Sequence, residues 1–290
     1  KTHFIYSKLA ECIQNKTHSF LIVPEHAALA TEKQIIKQFG NSSNLYTEVI
    51  NFKRLCNRVF RETGGLALPS IDQGAKKLLM ADALEQVHPS LSEFKDACLN
   101  AEFVQKALDA VNSLKINGVD LITLDKTAGE LEAQNPSLCI KLRELSIIGS
   151  AFDANLTQCQ GTSMDIYDRL CDKLSEYSFF AGKKVFIDSF YGFTYPELKI
   201  ISHILEQADE VYISLAYNGV DKDRIFERGQ KTARLLLDCA TRCGCDVQDI
   251  FLCENHRHQK ESALYEFEKS FSSSLTITRF SSLSLTPVLI

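Results

Sequence analysis

Two apolar runs establish the class of fold: Ser19-Phe20-Leu21-Ile22-Val23 near the start of the chain, and Lys184-Val185-Phe186-Ile187-Asp188 far along it. Each run is short, rich in aliphatic and aromatic side chains, and followed by a residue that ends it, which is typical of a strand buried in a parallel sheet. Residues with helical spacing lie on both sides of the first run. The pattern therefore predicts an α/β protein built on an open parallel sheet.

Helix and strand patterns alternate at both ends of the chain but not in its middle. At the amino end we predict helices over residues 2–15, 28–39 and 51–64, with strands over 19–23 and 46–50. At the carboxyl end we predict strands over 184–188, 210–216 and 249–252, with helices over 196–207, 229–242 and 260–271. Between them helical periodicity covers 71–87, 91–114, 136–156 and 164–177. The expected domains are an α/β domain, residues 1–66 and 183–290, and an all-helical insertion, residues 67–182, with a Ser-rich tail that frays.

The charge of the chain is unevenly distributed. The 290 residues carry a net charge of −5, which argues against a free-standing basic nucleic-acid clamp. Residues 1–70, however, hold nine Lys and Arg against five Glu, and this is the basic part of the chain. We therefore expect any surface that faces phosphates to lie in the first quarter.

The cysteines and the hydropathy point to a cytoplasmic protein. No apolar run reaches the ~18 residues of a membrane span, and no signal peptide opens the chain. Most of the ten cysteines stand singly among apolar neighbours, as reduced core thiols do. The close pair Cys243 and Cys245 leaves two interpretations: a metal site, or a helix end turned by Gly244, which the absence of a CxxC pair favours.

Candidate nucleotide-binding residues come from separate parts of the chain. Lys1-Thr2 opens the first helix and matches the last two residues of a phosphate loop, in which Lys contacts phosphates and the hydroxyl binds Mg²⁺. Because the chain starts there without Met, we expect that something upstream has been removed. Asp188 ends an apolar strand, as the Mg²⁺-holding Asp of such proteins does, although a turn-capping role is the alternative. Glu25 follows a strand and is either a ligand-binding acid or a helix-capping acid.

Four blocks of sequence resemble, in order and spacing, the AddB subunits of bacterial AddAB helicase–nucleases. They are Val23-Pro24-Glu25 with Thr31-Glu32; Phe52-x-Arg54-Leu55 with Glu62-Thr63-Gly64-Gly65; Ile187-Asp188-Ser189-Phe190-x-Gly192-Phe193-Thr194 with Pro196-Glu197; and Phe226-x-Arg228 with Lys231-Thr232 and Leu235. The sequence departs from the family pattern at His26, Asn51 and Lys53, and at Ser189, where the family has Gly. The glycines of the phosphate loop are not in the sequence.

The resemblance implies a superfamily-1 helicase-like, P-loop NTPase-type fold with a helical 1B-type insertion, working in DNA double-strand break processing beside an AddA-type partner. It implies ATP and Mg²⁺ at Lys1, Thr2, Glu25 and Asp188, with Thr2 and Asp188 as the metal ligands. The family's iron–sulfur cluster belongs to a C-terminal part beyond this sequence. For single-stranded DNA our candidates are Phe52, Arg54, Phe193 and Thr194, by stacking and phosphate pairing. For both phenylalanines, core packing is the favoured alternative.

No carboxylate follows Asp188, because Ser189 and Phe190 stand where a catalytic Glu would activate water. The sequence therefore predicts a degenerate motor that binds ATP and serves as a DNA scaffold. Two alternatives remain open: an active small NTPase, and a structural module with a vestigial nucleotide site that binds a protein partner.

Overall fold

The computed structural model describes residues 1–65, 71–160, 165–216, 226–252, 264 and 275–281. In that part of the chain the helices are α1 Thr2–Gln14, α2 Glu25–Phe39, α3 Phe52–Thr63, α4 Gln73–Val87, α5 Ala101–Ile116, α6 Leu121–Leu131, α7 Pro136–Gln160, α8 Ile166–Glu176, α9 Tyr195–Gln207 and α10 Glu227–Arg242. The strands are β1 Ser19–Ile22, β2 Thr47–Ile50, β3 Lys184–Ile187, β4 Glu210–Leu215, β5 Asp246–Leu252 and β6 Leu275–Ser281.

Chain contacts divide the protein into two compact units. The first, an α/β unit, comprises Lys1–Gly64, Leu170–Phe193 and Glu197–Ile290. The second comprises Gly65–Arg169 and Thr194–Pro196, and its described residues form helices and turns.

One six-stranded sheet organises the α/β unit, in the order β2-β1-β3-β4-β6-β5. The pairs β1–β2, β1–β3 and β3–β4 are parallel, as predicted, and β1 is buried along its whole length. Helix α1 buries Ile5 and Leu9 in a cluster with Leu21 of β1 and Phe186 of β3. Burying such side chains stabilises the fold by roughly 1.5–3 kcal/mol each, which fixes α1 against the sheet.

The sheet is not parallel throughout. Strand β6 pairs antiparallel with both β4 and β5, so the prediction of a parallel sheet holds only for β1–β4. The sequence prediction treats the Ser-rich stretches 270–274 and 281–284 as a fraying tail and misses the strand β6, although the alternating run Leu275-Thr276-Ile277-Thr278 is typical of one. Strand β5 begins at Asp246, earlier than predicted. The predicted helix over 260–271 lies outside the described residues apart from Leu264.

Helix α3 follows β2 directly, and both its start and its buried face can be recognised in the sequence. The Asn51 side chain accepts a hydrogen bond from the backbone N–H of Arg54 at 2.7 Å, which caps the helix as predicted. One face of α3 is buried and the opposite face is charged. The helix ends at Thr63, and the cap residue that follows, Gly64, has a φ of 80°, which suits a glycine.

The helical unit differs from the sequence prediction in two places. The stretch over 91–114 is not one helix, because α5 begins only at Ala101, capped by Asn100. The chain before it is held in a turn by the carboxylate of Glu144, which binds backbone N–H groups of residues 92–94. The prediction also misses α6, which starts at Leu121 after its capping residue, Asp120.

Among the described residues, no helix is both long enough and apolar enough to cross a membrane. The nine described cysteines are thiols and not disulfides, and six of them are buried.

Candidate functional site

The candidate site lies where the parallel strands end. Strand β3 ends at Ile187, and Asp188 follows it with only 3% of its surface exposed. The backbone N–H of Asp188 donates to the carbonyl of Ile22 at 3.0 Å, which holds the residue at the carboxyl end of β1. In open α/β sheets this edge is where ligands bind.

Helix α1 brings Thr2 next to Asp188. The Thr2 hydroxyl Oγ1 donates to Asp188 Oδ2 at 3.1 Å, although the two residues are 186 positions apart in sequence. Lys1 is the amino-terminal cap residue of the same helix, and its carbonyl accepts from the Ile5 N–H. Three of the four predicted nucleotide-site residues therefore lie at one helix terminus and the strand end beside it.

A second hydroxyl, which sequence reasoning missed, binds the same carboxylate. Ser214 of β4 donates through Oγ to Asp188 Oδ1. Ser214 is buried, and its position in an apolar strand gave no motif to identify it. Sheet register could have identified Ser214. A polar residue near the end of the neighbouring strand, in register with Asp188, projects its side chain to the same face of the sheet as Asp188.

Tyr6 lies one turn along α1 and is buried near this cluster. Burial raises the pKa of the Tyr6 phenol, and the negative charge of Asp188 raises it further. The phenol therefore stays neutral beside the carboxylate.

The loop after Asp188 is tightly constrained. Ser189 has a φ of 68°, the left-handed region that glycine adopts freely and serine does not. The following ring, Phe190, packs edge-on against Phe52 at 5.6 Å between centroids, and Phe193 packs against Phe190 at 5.1 Å. The hydroxyl of Thr232 in α10 donates to the carbonyl of Tyr191 at 3.3 Å.

Phe52 is 3% exposed, so its ring lies in the core and is not available to stack on a base. The structure thus favours the packing alternative at this residue. Phe193 is half-buried, and Thr194, also half-buried, is grouped with the helical unit.

Glu25 is exposed in the first turn of α2, after the cap residue Pro24. The negative charge of an acid at this position is stabilised by the positive end of the helix dipole. Glu25 is thus a first-turn acid and not the cap residue itself, and its side chain makes no capping hydrogen bond to the described residues.

The basic face of α3 is only partly neutralised by neighbouring acids. Arg58 donates to Glu48 at 3.1 Å and also binds Glu62. Arg54 is 52% exposed, and its guanidinium is 3.9 Å from Glu32, a loose pair in solvent. Lys53 and Arg61 are exposed on the same helix.

The cysteine pair marks a helix end. Gly244 has a φ of 67° directly after α10, and Cys243 and Cys245 donate to carbonyls of Ser202 and Leu205 in α9. Burial, together with the negative charge of Glu206, raises the pKa of the Cys243 thiol to about 11. Within the described residues no group of three or more metal-ligating side chains occurs.

The fold and this site define an open-sheet α/β protein with a hydroxyl–carboxylate cluster at the carboxyl edge of its parallel strands. The sequence profile of the family described as ADDB, N-terminal matches residues 1–268. The chain therefore belongs to the AddB N-terminal family.

Curated relatives carry a common description, which names each of them as the B-type subunit of an ATP-dependent helicase/deoxyribonuclease. The Clostridioides difficile protein is 31% identical over 82% of this chain and 21% of its own length. The Ruminiclostridium cellulolyticum protein is 32% identical over 78% of this chain and 20% of its own. The Caldanaerobacter subterraneus protein is 27% identical over 94% of this chain and 24% of its own. The chain thus spans about a fifth to a quarter of the length of these relatives.

Proposed function

We propose that this chain is the nucleotide-binding, motor-like region of an AddB-type helicase–nuclease component that processes DNA double-strand breaks. The observation that carries the proposal is the hydrogen bond between Thr2 and Asp188. A hydroxyl at a helix start, paired with a carboxylate at a strand end, is the arrangement that a P-loop NTPase uses around Mg²⁺ and phosphates. The names of the relatives, which include ATP dependence, agree with it.

The residues present fit a magnesium ion bound together with a nucleotide. Mg²⁺ takes oxygen ligands and is commonly held by one or two protein side chains plus phosphates and water, so no larger cluster of acids is needed. Thr2 and Asp188 supply one hydroxyl and one carboxylate oxygen 3.1 Å apart. When bound, the ion would neutralise phosphate charge, while Lys1 and the backbone N–H groups at the start of α1 would bind the phosphates.

We further propose that this site binds ATP with little hydrolysis. General-base activation of water contributes about 10²–10⁴-fold to catalysis. The residues after Asp188 are Ser189 and the packed ring of Phe190, and neither supplies a carboxylate that could accept that proton. Nucleotide would then stabilise the scaffold rather than drive movement along DNA.

For DNA, the proposed contact surface is the exposed face of α3, with Arg54 as its principal phosphate-binding residue. Arg54 can exchange its loose ion pair with Glu32 for a phosphate. Arg58, in contrast, already forms ion pairs with the carboxylates of Glu48 and Glu62. Phe193 and Thr194 remain candidates for contact with single-stranded DNA. An AddA-type protein is the proposed partner, because the relatives are named as one subunit of a complex. In this proposal the helical unit corresponds to a 1B-type insertion into a 1A-type α/β domain.

The proposal is tested by titrating the full-length gene product with a fluorescent ATP analogue and Mg²⁺. Thr2→Val removes the hydroxyl at nearly constant volume, and we expect it to weaken binding by about 10-fold or more. The matched control is Ser7→Ala, which removes an exposed hydroxyl of the same helix, one that donates to the local Phe4 carbonyl. Equal affinity for both variants, or no binding by the unmodified protein, would refute the nucleotide site and favour the vestigial-module alternative.

A further inference from the structure

We propose that Ser214 is a positioning residue for Asp188, holding one oxygen of the carboxylate so that the other faces Thr2 and the nucleotide. The inference rests on the proposed nucleotide site and adds to it a residue that no sequence motif identifies. It concerns how the metal-binding carboxylate is kept in one orientation.

Sheet register places Ser214 beside Asp188. Strands β3 and β4 are parallel, with Ile187 opposite Ile213, so the next residues on each strand, Asp188 and Ser214, are also neighbours. In a parallel pair, opposite side chains project to the same face. Ser214 is 1% exposed, and its backbone is also paired with Ile277 of β6, which fixes it from the other side.

The two hydroxyls bind different oxygens of the Asp188 carboxylate. Ser214 donates to Oδ1 and Thr2 donates to Oδ2. The terminal torsion of an aspartate is broad and intrinsically easy to rotate. With both oxygens engaged, rotation requires breaking a hydrogen bond to a charged group, so the carboxylate is held in one orientation before nucleotide arrives.

Such a role predicts a specific loss when Ser214 is removed. Hydrogen-bond partners that orient a ligating carboxylate typically contribute about 10–100-fold to metal affinity. In this proposal Ser214 acts only through the carboxylate of Asp188, so its loss should affect only the gain in nucleotide affinity that Mg²⁺ provides. A purely structural role would instead reduce affinity equally with and without Mg²⁺.

The experiment compares three variants of the full-length gene product: Ser214→Ala, Ser214→Thr, which keeps the hydroxyl, and Ser19→Ala. Ser19 is a matched control, a buried serine at the opposite end of β1 whose hydroxyl donates to the Tyr46 carbonyl. Each variant is titrated with a fluorescent ATP analogue in Mg²⁺ and again in EDTA. Thermal unfolding is measured in parallel.

We expect Ser214→Ala to lower the Mg²⁺-dependent gain in affinity by about 10-fold, with the EDTA affinity unchanged. Ser214→Thr and Ser19→Ala should keep that gain. An unchanged gain in Ser214→Ala, or an equal loss in Mg²⁺ and EDTA, overturns the positioning role while leaving the nucleotide site in place. Absence of Mg²⁺-dependent binding by the unmodified protein overturns the proposed function itself. If Ser214→Thr unfolds, the contrast between Ser214→Ala and Ser19→Ala decides the question.

Discussion

The carboxylate of Glu144 accepts hydrogen bonds from both the hydroxyl and the backbone N–H of Ser92, each at 2.6 Å. It also accepts from the backbone N–H groups of Glu93 at 3.0 Å and Phe94 at 2.9 Å. Burial by itself raises the pKa of Glu144, but the hydroxyl and the N–H donors together outweigh it and lower the pKa below its ordinary value of 4.5. The buried charge therefore stabilises the turn that precedes α5.

Replacing Glu144 by Gln should destabilise the protein by about 2 kcal/mol at neutral pH, because the amide NH₂ cannot accept the N–H donors. The lowered pKa means that the stabilisation is full above 4.5 and is lost as the pH falls through the folded-state value. The difference between the two proteins should therefore shrink below about pH 4.5. Urea unfolding followed by circular dichroism across this range measures it.

The control for this measurement is Glu130→Gln, an exposed acid on α6 in the same helical unit. It should leave stability within about 0.5 kcal/mol. A Glu144→Gln protein as stable as this control at neutral pH would mean that the hydrogen bonds contribute nothing net.

Ser189→Gly should stabilise the α/β unit by about 1 kcal/mol, because the left-handed φ of 68° is strained for serine and unstrained for glycine. The same change at Ser202, inside helix α9, should destabilise by about 1 kcal/mol. Thermal unfolding of the two variants gives the comparison. Equal losses at both positions would show that Ser189 makes contacts that offset its backbone strain.

Arg54→Ala should flatten the dependence of log affinity on log salt by about 0.7 for single-stranded DNA, as loss of one phosphate contact does. The loss should be similar for every sequence, because phosphate contacts carry no sequence information. The measurement uses the full-length gene product with its partner protein, titrated across a salt series. Arg58→Ala is the control, since its guanidinium is already bound to Glu48 and Glu62 and should leave the slope unchanged. A slope that Arg54→Ala does not alter would remove α3 from the proposed DNA path.

ATP turnover by the partner-free protein should stay well below ~1 s⁻¹, the low end of typical enzyme rates. The reason is that the residue directly after Asp188 is Ser189 and not a carboxylate that could activate water. Phosphate release is measured with Mg²⁺, with and without single-stranded DNA. Turnover that exceeds this rate, and that Asp188→Asn abolishes, would support the active-NTPase alternative.

Local patterns in the sequence were sufficient for much of the fold. The apolar runs at β1 and β3 are strands because their side chains must be buried on both faces. Asn51 and the alternation of buried and charged positions fixed the start and the orientation of α3. Helix α1 was likewise predicted from the spacing of its buried residues, Ile5 and Leu9 among them.

One failure of the sequence prediction has its cause in a distant residue. Residues 92–94 have a helical pattern but form a turn, because Glu144, about 50 positions away, takes their N–H groups. Strand β6, Leu275–Ser281, is hydrogen-bonded on one side to β4 and on the other to β5. These partner strands come together only in the folded sheet.

The sequence by itself determined the types of residue available at the site: a lysine and threonine that open a helix, and an aspartate that closes a strand. Family resemblance placed Thr2 and Asp188 in one expected metal site, and core packing was the favoured alternative for Phe52. The sequence did not determine the hydrogen bond between Thr2 and Asp188, or that Ser214 joins them. Those facts depend on strand order and register, which arise from packing between segments far apart in the chain. A hydrogen bond across 186 residues leaves no local trace in sequence, because neither partner's neighbours specify the other.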